Sequence, residues 1–256
     1  MSNVRWLRIW IVSAFTLMGA QPCQGNVQAA LKEGWWAYER GDLNGALRIY
    51  REVADCNPED PTVQYDLGGV YAAQGDYRMA QESLLKAVEL DPHLAAAYDA
   101  LAQVYEQQEQ FWVALTLYRA AAELEPRNSK FNQHWSRAQY QRGVLELQTG
   151  NIDTALETFQ AVLERSPGDV AVLNGIGLCH LRFGQYRLAA DVFQRAQDLD
   201  PENPTIQTNL GVAAAYEQRW GDAKSAWEQA LKLNPQFGPA NANLERLHSA
   251  ERKASE

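Results

Sequence analysis

Residues 61–94 read PTVQYDLGGVYAAQGDYRMAQESLLKAVELDPHL, and this stretch decides the fold. Its first half carries apolar side chains at helical spacing, and Gly75-Asp76 then marks a stop and a restart. Glycine suits the left-handed end of one helix, and aspartate caps the start of the next. Pro92 closes the second helical pattern, because proline disfavours helix in the residue before it. The stretch therefore predicts two helices joined by a short turn.

The same pattern recurs along most of the chain. Three residue series share successive intervals of 34, 34, 41, 34 and 34 residues. The series are Pro58, Pro92, Pro126, Pro167, Pro201 and Pro235; Ala46, Ala80, Ala114, Ala155, Ala189 and Ala223; and Gly34, Gly68, Ala102, Gly143, Gly177 and Gly211. A fixed period of this length indicates stacked structural repeats, in which each helix pair is too thin to bury its own apolar faces.

The small residues in this period predict close contact between the two helices of each repeat. Gly68 on the first helix and Ala80 on the second let the backbones approach, and Leu84 fills the remaining space. The large residues equivalent to Leu84 are Tyr50, Tyr118, Phe159, Phe193 and Trp227.

The repeat resembles the signature of the tetratricopeptide repeat (TPR) superfamily. The residues that carry the resemblance are Leu67-Gly68, Tyr71, Gly75-Asp76-Tyr77, Ala80, Leu84, Ala87 and Asp91-Pro92, and again Ile176-Gly177, Gly184-Gln185-Tyr186, Ala189, Phe193, Ala196 and Asp200-Pro201. The resemblance covers residues 27–237 and implies an all-α fold, a right-handed α-solenoid of helix-turn-helix repeats. The six expected repeats are 27–60, 61–94, 95–128, 136–169, 170–203 and 204–237, and residues 238–252 are expected to form a capping helix.

Two features depart from the regular pattern. Glu109 and Gln218 replace the usual glycine between the two helices of a repeat, so these two turns are expected to differ in shape. Residues 129–135 form an insertion, which most simply extends the first helix of the fourth repeat. Phe131 and Trp135 would share one face of that helix, either packing on the third repeat or marking a joint between two lobes of three repeats.

The N-terminus predicts export. Arg5 and Arg8 precede about twelve apolar residues that end at Gln21-Pro22, and this length fits a secretory signal peptide better than a membrane span. We expect residues 1–25 to direct the chain to an exported location, most simply the bacterial periplasm. The alternative is an uncleaved membrane anchor at residues 6–20. Lipid attachment at Cys23 is disfavoured because Pro22 stands where a small residue is required.

Charge and chemistry exclude several function classes. The formal charge is −9, and because residues 1–25 contain two arginines and no acidic residue, the remainder carries −11. An acidic array is a poor nucleic-acid binder, since phosphate affinity needs clustered lysine and arginine. The four histidines lie in different repeats, and no nucleophile, phosphate-loop or zinc motif is present. We therefore expect no catalytic residue, no metal and no cofactor, and Cys179 is expected to be a small core residue.

The resemblance implies that the first helix of each repeat lines a concave groove. By position, the expected binding residues are Trp35, Tyr38, Tyr65, Asp66, Asp99, Gln103, Tyr140, Gln141, Asn174, Asn209, Tyr216 and Asn243. Asn209 and Asn243 occupy equivalent positions and resemble the asparagine ladder that holds extended peptides in some TPR grooves, whereas Asn174 is one residue out of register. A carboxylate clamp is not expected, because Leu31 and Trp35 occupy its first positions.

These observations predict a non-enzymatic, exported scaffold that binds a partner protein or extended peptide in its groove, during assembly of an envelope or membrane complex. One alternative is a self-associating structural protein that uses its aromatic N-terminal end, where Trp35, Trp36 and Tyr38 cluster. Another is a membrane-anchored assembly factor. The expected partner is a protein or peptide, with contact to a membrane only through the N-terminal segment if it is uncleaved.

Overall fold

The computed structural model describes residues 26–255, and the predicted signal or anchor segment at residues 1–25 lies outside them. All regular structure in the described residues is α-helical, which confirms the all-α repeat fold. The helices are α1 (Val27–Glu39), α2 (Leu43–Cys56), α3 (Pro61–Ala73), α4 (Tyr77–Leu90), α5 (Ala95–Gln107), α6 (Phe111–Leu124), α7 (Ser129–Gln148), α8 (Ile152–Arg165), α9 (Val170–Arg182), α10 (Tyr186–Leu199), α11 (Pro204–Tyr216), α12 (Trp220–Leu233) and α13 (Gly238–Ser255).

The helices form two compact units that divide between Phe131 and Asn132, near the start of α7. In the first unit, α1 to α6 pack mainly on their neighbours in chain order, and α3 also contacts α5. In the second unit, α8 to α13 do the same, and α11 also contacts α13. The helix α3 therefore lies beside α5 in the first unit, and α11 lies beside α13 in the second.

Asparagine or aspartate side chains cap six of the described helices, whereas α5, α6, α8, α10 and α12 have no side-chain cap. Asp76 accepts a hydrogen bond from the backbone N–H of Met79 at 3.2 Å, which confirms its role as the N-cap of α4. Side chains also cap α1, α2, α3, α9 and α11, and these N-caps are Asn26, Asp42, Asp60, Asp169 and Asn203.

The turns at Glu109 and Gln218 keep the usual shape, so the prediction of a different shape is wrong. Gly75 has a φ of 78°, and Glu109 and Gln218 adopt φ values of 60° and 63° at the equivalent positions. The residue that follows the left-handed position donates the same backbone hydrogen bond in these turns. The N–H of Gln110, for example, donates to the carbonyl of Tyr105 at 2.9 Å. This helix-closing hydrogen bond holds the left-handed conformation despite the strain that a side chain adds there.

The helix pairs pack as closely as the small residues predict. A Cβ atom at Gly68 would lie 2.5 Å from Cγ of Leu84, and one at Gly177 would lie 2.3 Å from Cε1 of Phe193. Leu84 and Phe193 are fully buried, which confirms their predicted place between the helices. The corresponding pairs in other repeats are Gly34 with Tyr50, Gly143 with Phe159 and Gly211 with Trp227. Cys179 is a free, buried core residue as predicted.

The inserted residues are helical. The helix α7 has 20 residues, whereas α1, α3, α5, α9 and α11 each have 13, and the difference is the seven residues of the insertion. Phe131 and Trp135 are both buried. The guanidinium of Arg165 lies 4.5 Å above the Trp135 ring, and this contact fixes the indole within the second unit.

The last helix closes the second unit. Leu244 and Leu247 of α13 are buried in a cluster with Trp227, and the helix continues to Ser255, three residues beyond the predicted end at residue 252. Within the described part of the chain, no helix combines the length and the apolar character that crossing a membrane requires.

Candidate functional site

A groove of about 390 Å³ opens on the first unit, and tyrosines form much of its wall. Tyr38 comes from α1, Tyr65 and Gly69 come from α3, Tyr77 begins α4, and Gln103 comes from α5. Three of the predicted binding residues, Tyr38, Tyr65 and Gln103, therefore line one groove. Tyrosine supplies a large contact area at a small cost in conformational entropy, which suits a recognition surface.

Asp66 lies beside this groove on α3 and is partly buried. Burial, and to a smaller extent the charge of Asp60, together raise the pKa of its carboxyl from 3.8 to about 6. Burial also raises the pKa of the Tyr65 phenol, to which the negative charges of Asp66 and Asp99 contribute. Among the described residues, Asp66 has no hydrogen-bond or ion-pair partner within the protein.

Asp99 does not form part of the groove surface. Only 1% of this residue is exposed, and its carboxylate accepts a hydrogen bond of 2.8 Å from Nε2 of Gln103. Lys130 at the start of α7 also approaches the carboxylate, at 3.8 Å. Asp99 therefore orients the amide of Gln103, and Gln103 is the exposed residue of the two that lines the groove.

Trp35 lies outside this groove, on the exposed side of α1. Its side chain is 48% exposed, and its ring meets that of Trp36 edge to face at 4.8 Å. The two indoles form an exposed aromatic patch at the N-terminal end of the described chain.

Two asparagines in the second unit are joined directly. Nδ2 of Asn209 on α11 donates to Oδ1 of Asn174 on α9 at 2.7 Å. This hydrogen bond leaves Nδ2 of Asn174 as a donor and Oδ1 of Asn209 as an acceptor, and no other protein partner is seen for them among residues 26–255. An amide pair that presents one donor and one acceptor can match the N–H and C=O of a peptide backbone.

A separate pocket of about 710 Å³ opens between α11, α12 and α13. Val212, Tyr216, Trp220 and Asn243 line it, so Tyr216 and Asn243 of the predicted residues lie together here. Tyr216 is 59% exposed and stacks face to face on Tyr186, with ring centroids 4.7 Å apart. Trp220, which the sequence interpretation missed, is 53% exposed and forms another wall.

The remaining two predicted residues, Tyr140 and Gln141, lie on α7 and line neither pocket. The Tyr140 ring packs against Phe159 at 5.8 Å, and burial raises the pKa of its phenol. Gln141 is exposed. No group of three histidine, cysteine, aspartate or glutamate side chains is placed to hold a metal ion within the described ranges.

Family models match three segments of the chain. Residues 59–125 and 140–204 match models described as tetratricopeptide repeat, and residues 37–75 match one described as TPR repeat.

Curated proteins match parts of the chain at 25–32% identity. The BBSome complex member BBS4 of Mus musculus is 25% identical, across 83% of this chain and 47% of that protein. Superkiller protein 3 of Schizosaccharomyces pombe is 32% identical, across 54% of this chain and 10% of that protein. The chain thus spans less than half the length of these relatives.

Solved structures share the fold. The C-terminal part of a TPR repeat-containing protein from Cytophaga hutchinsonii superposes with a TM-score of 0.65 at 14% identity, covering 88% of this chain and 90% of that solved part. YrrB, described as a TPR protein with an unusual peptide-binding site, superposes with a TM-score of 0.57 at 20% identity, covering 77% of this chain and 97% of that one.

Proposed function

We propose, from the premise that this chain belongs to the tetratricopeptide repeat superfamily, that it is a scaffold which holds an extended segment of a partner protein against its first helices. The superfamily architecture suits protein or peptide binding. The observation that carries the proposal for this chain is the hydrogen-bonded pair Asn174–Asn209 on neighbouring first helices.

The amide pair supports backbone recognition. Each asparagine fixes the other, so the outward donor and acceptor are already oriented before a ligand arrives. Pre-orientation lowers the entropy lost on binding, and an extended peptide has unpaired backbone groups that need such partners. Gln103 in the first unit follows the same principle, because Asp99 holds its Nε2 and leaves Oε1 as an acceptor.

The aromatic pockets support side-chain recognition. The 710 Å³ pocket with Tyr216 and Trp220 offers an apolar surface, and the 390 Å³ groove offers tyrosine rings. Apolar pockets with a few oriented polar groups are typical of ligand sites. We propose that backbone contacts hold the segment and that these pockets select its side chains.

We also propose that the protein is exported. The basic start and apolar core of residues 1–25 support export, with the periplasm as the destination and an uncleaved anchor at residues 6–20 as the alternative. We propose a non-enzymatic role in assembling an envelope or membrane complex. N-terminal sequencing of the protein from cell fractions tests the export step, and an unprocessed cytosolic product contradicts it.

Peptide selection tests the binding step. A random peptide library is displayed against the purified protein, and the affinity of selected peptides is measured by calorimetry. The double variant Asn174→Ala, Asn209→Ala should bind about 5- to 150-fold more weakly, because two hydrogen bonds contribute about 0.5–1.5 kcal/mol each. The matched control is Gln229→Ala, at an exposed position on the second helix α12 of the same unit. Equal affinity of the double variant, with the fold intact, rejects the proposal.

Self-association is the second candidate function, because Trp35 and Trp36 are both nearly half exposed and adjacent. Light scattering over a range of protein concentrations tests it. A Trp35→Ser, Trp36→Ser variant should lower the mass of any oligomer, and a strictly monomeric wild-type protein rejects this function.

A further inference from the structure

Asp66 combines burial with the absence of a protein partner. Its side chain is partly buried in the first unit, and among the described residues it has no hydrogen bond or ion pair. Burying an ionised carboxylate without a partner is unfavourable, so such groups are normally paired. The described part of the chain therefore provides no positive side chain that pairs with the Asp66 carboxylate.

The groove is open at Gly69, one turn along α3 from Asp66. Asp66 and Gly69 are three residues apart on α3 and so share a face of the helix. Gly69 lines the groove, and a Cβ atom built at this glycine would meet no atom within 4 Å. A side chain from a bound segment can therefore enter beside Gly69 and reach toward Asp66.

The tyrosines Tyr38 and Tyr65 line the groove together with Gly69. The charge of Asp66 contributes to the raised pKa of both Tyr50 and Tyr65, so the carboxylate lies near both phenols. Tyr38 contributes to the same two shifts and lines the groove with Tyr65. Aromatic rings attract cations, and the attraction is strongest where water is excluded.

Acidic side chains outnumber basic ones around Asp66. Asp60, which caps α3, and Asp99 on α5 are acidic. Lys130 at the start of α7 also lines the groove, and its ammonium lies 3.8 Å from the Asp99 carboxylate, which balances its charge. The whole chain carries a formal charge of −9. A basic ligand is therefore the complementary one.

We infer that the groove of the first unit contains a subsite for a basic side chain, in which Asp66 pairs with a lysine or arginine of the bound segment between the rings of Tyr38 and Tyr65. This inference rests on the proposed peptide-binding function and defines its specificity. The pairing supplies the missing counter-charge, and the tyrosine faces contact the alkyl stem and the cationic head.

An oriented peptide library tests the subsite. The probes are blocked nonapeptides, randomised at every position except the centre, which is arginine, lysine, citrulline or glutamate. Citrulline matches arginine in shape and lacks its charge. Binding to the wild-type protein at pH 7.5 should favour the arginine and lysine libraries over the citrulline library at least about tenfold, since charge-assisted hydrogen bonds are strong.

Two variants locate the effect. Asp66→Asn should remove the preference for a basic centre and keep binding of the citrulline library. Asp55→Asn makes the same charge change at an exposed position on α2 and should keep the preference. In the wild-type protein the preference should also fall as the pH is lowered through 6, where Asp66 gains a proton.

The outcomes separate this inference from the proposed function. Equal binding of all four libraries, or a preference that persists in Asp66→Asn, overturns the subsite and leaves peptide binding in place. Failure of every library to bind the wild-type protein overturns both.

Discussion

Asp66→Asn should make the folded protein more stable at neutral pH. Burial and the nearby charge of Asp60 raise the pKa of the carboxyl from 3.8 to about 6 in the folded state. A difference of about two pH units corresponds to roughly 3 kcal/mol, at 1.36 kcal/mol for each unit. Asp66 keeps some contact with solvent, which screens its charge, so we expect a gain of about 1–3 kcal/mol.

The gain should depend on pH in a defined direction. The folded protein binds the Asp66 proton more tightly than the unfolded chain does, so the stability that this proton contributes is complete below pH 3.8 and is lost as the pH rises to about 6. Asparagine does not titrate. The stability difference between variant and wild type should therefore grow from pH 4 to pH 6 and stay constant above pH 7.

Urea unfolding of both proteins between pH 4 and pH 8 measures this difference, because all other titrating groups are shared. Asp55→Asn makes the same charge change at an exposed position of α2 and serves as the control for a general effect of charge on stability. A difference for Asp66→Asn that does not change with pH, or a variant less stable than wild type at pH 7, would refute the reasoning.

Two further predictions concern stability and are checked by thermal unfolding. Gly68→Ala should destabilise by about 1–3 kcal/mol, because its Cβ would lie 2.5 Å from Cγ of Leu84. The adjacent Gly69→Ala should stabilise by up to about 1 kcal/mol, because the added methyl group meets no atom within 4 Å in a helix; similar effects at both positions would contradict the packing. Glu109→Gly and Gln218→Gly should each stabilise by about 0.5–1 kcal/mol, since glycine relieves the positive φ; a lower melting temperature would count against that conformation.

The periodic part of the structure could be predicted from the sequence because its causes are local and repeated. Gly68 and Leu84 are constrained by one pair of helices, and the same constraint appears again at Gly177 and Phe193. Asp76 caps the helix that follows it directly. Each of these features depends on residues within one repeat, and its recurrence makes it recognisable in the sequence.

The site was less predictable because it depends on contacts between repeats. Asp99 has the right position to face a ligand, yet it is buried beneath Gln103. Asn174 stands one residue out of register, yet its amide reaches Asn209 across neighbouring helices. Neither result follows from position within a repeat, since side-chain burial and reach depend on how adjacent helices pack.

Glu109 shows another limit of predicting local structure from residue type. The residue type alone argued against a left-handed turn, but the hydrogen bonds that end α5 require one. Trp220 was missed because it is the first residue of α12, outside the first-helix positions from which the site was read.

Cross-linking tests most directly whether a bound segment lies against the first helices. A selected peptide is mixed with variants that carry a photoreactive benzophenone side chain at one position each. Gln103 on α5 and Arg182 on α9 are the first-helix positions, and Lys86 on α4 and Gln229 on α12 are the second-helix positions, all exposed. We expect cross-links from the first-helix positions, because the bound segment lies against them. Cross-links confined to the second-helix positions would contradict this placement.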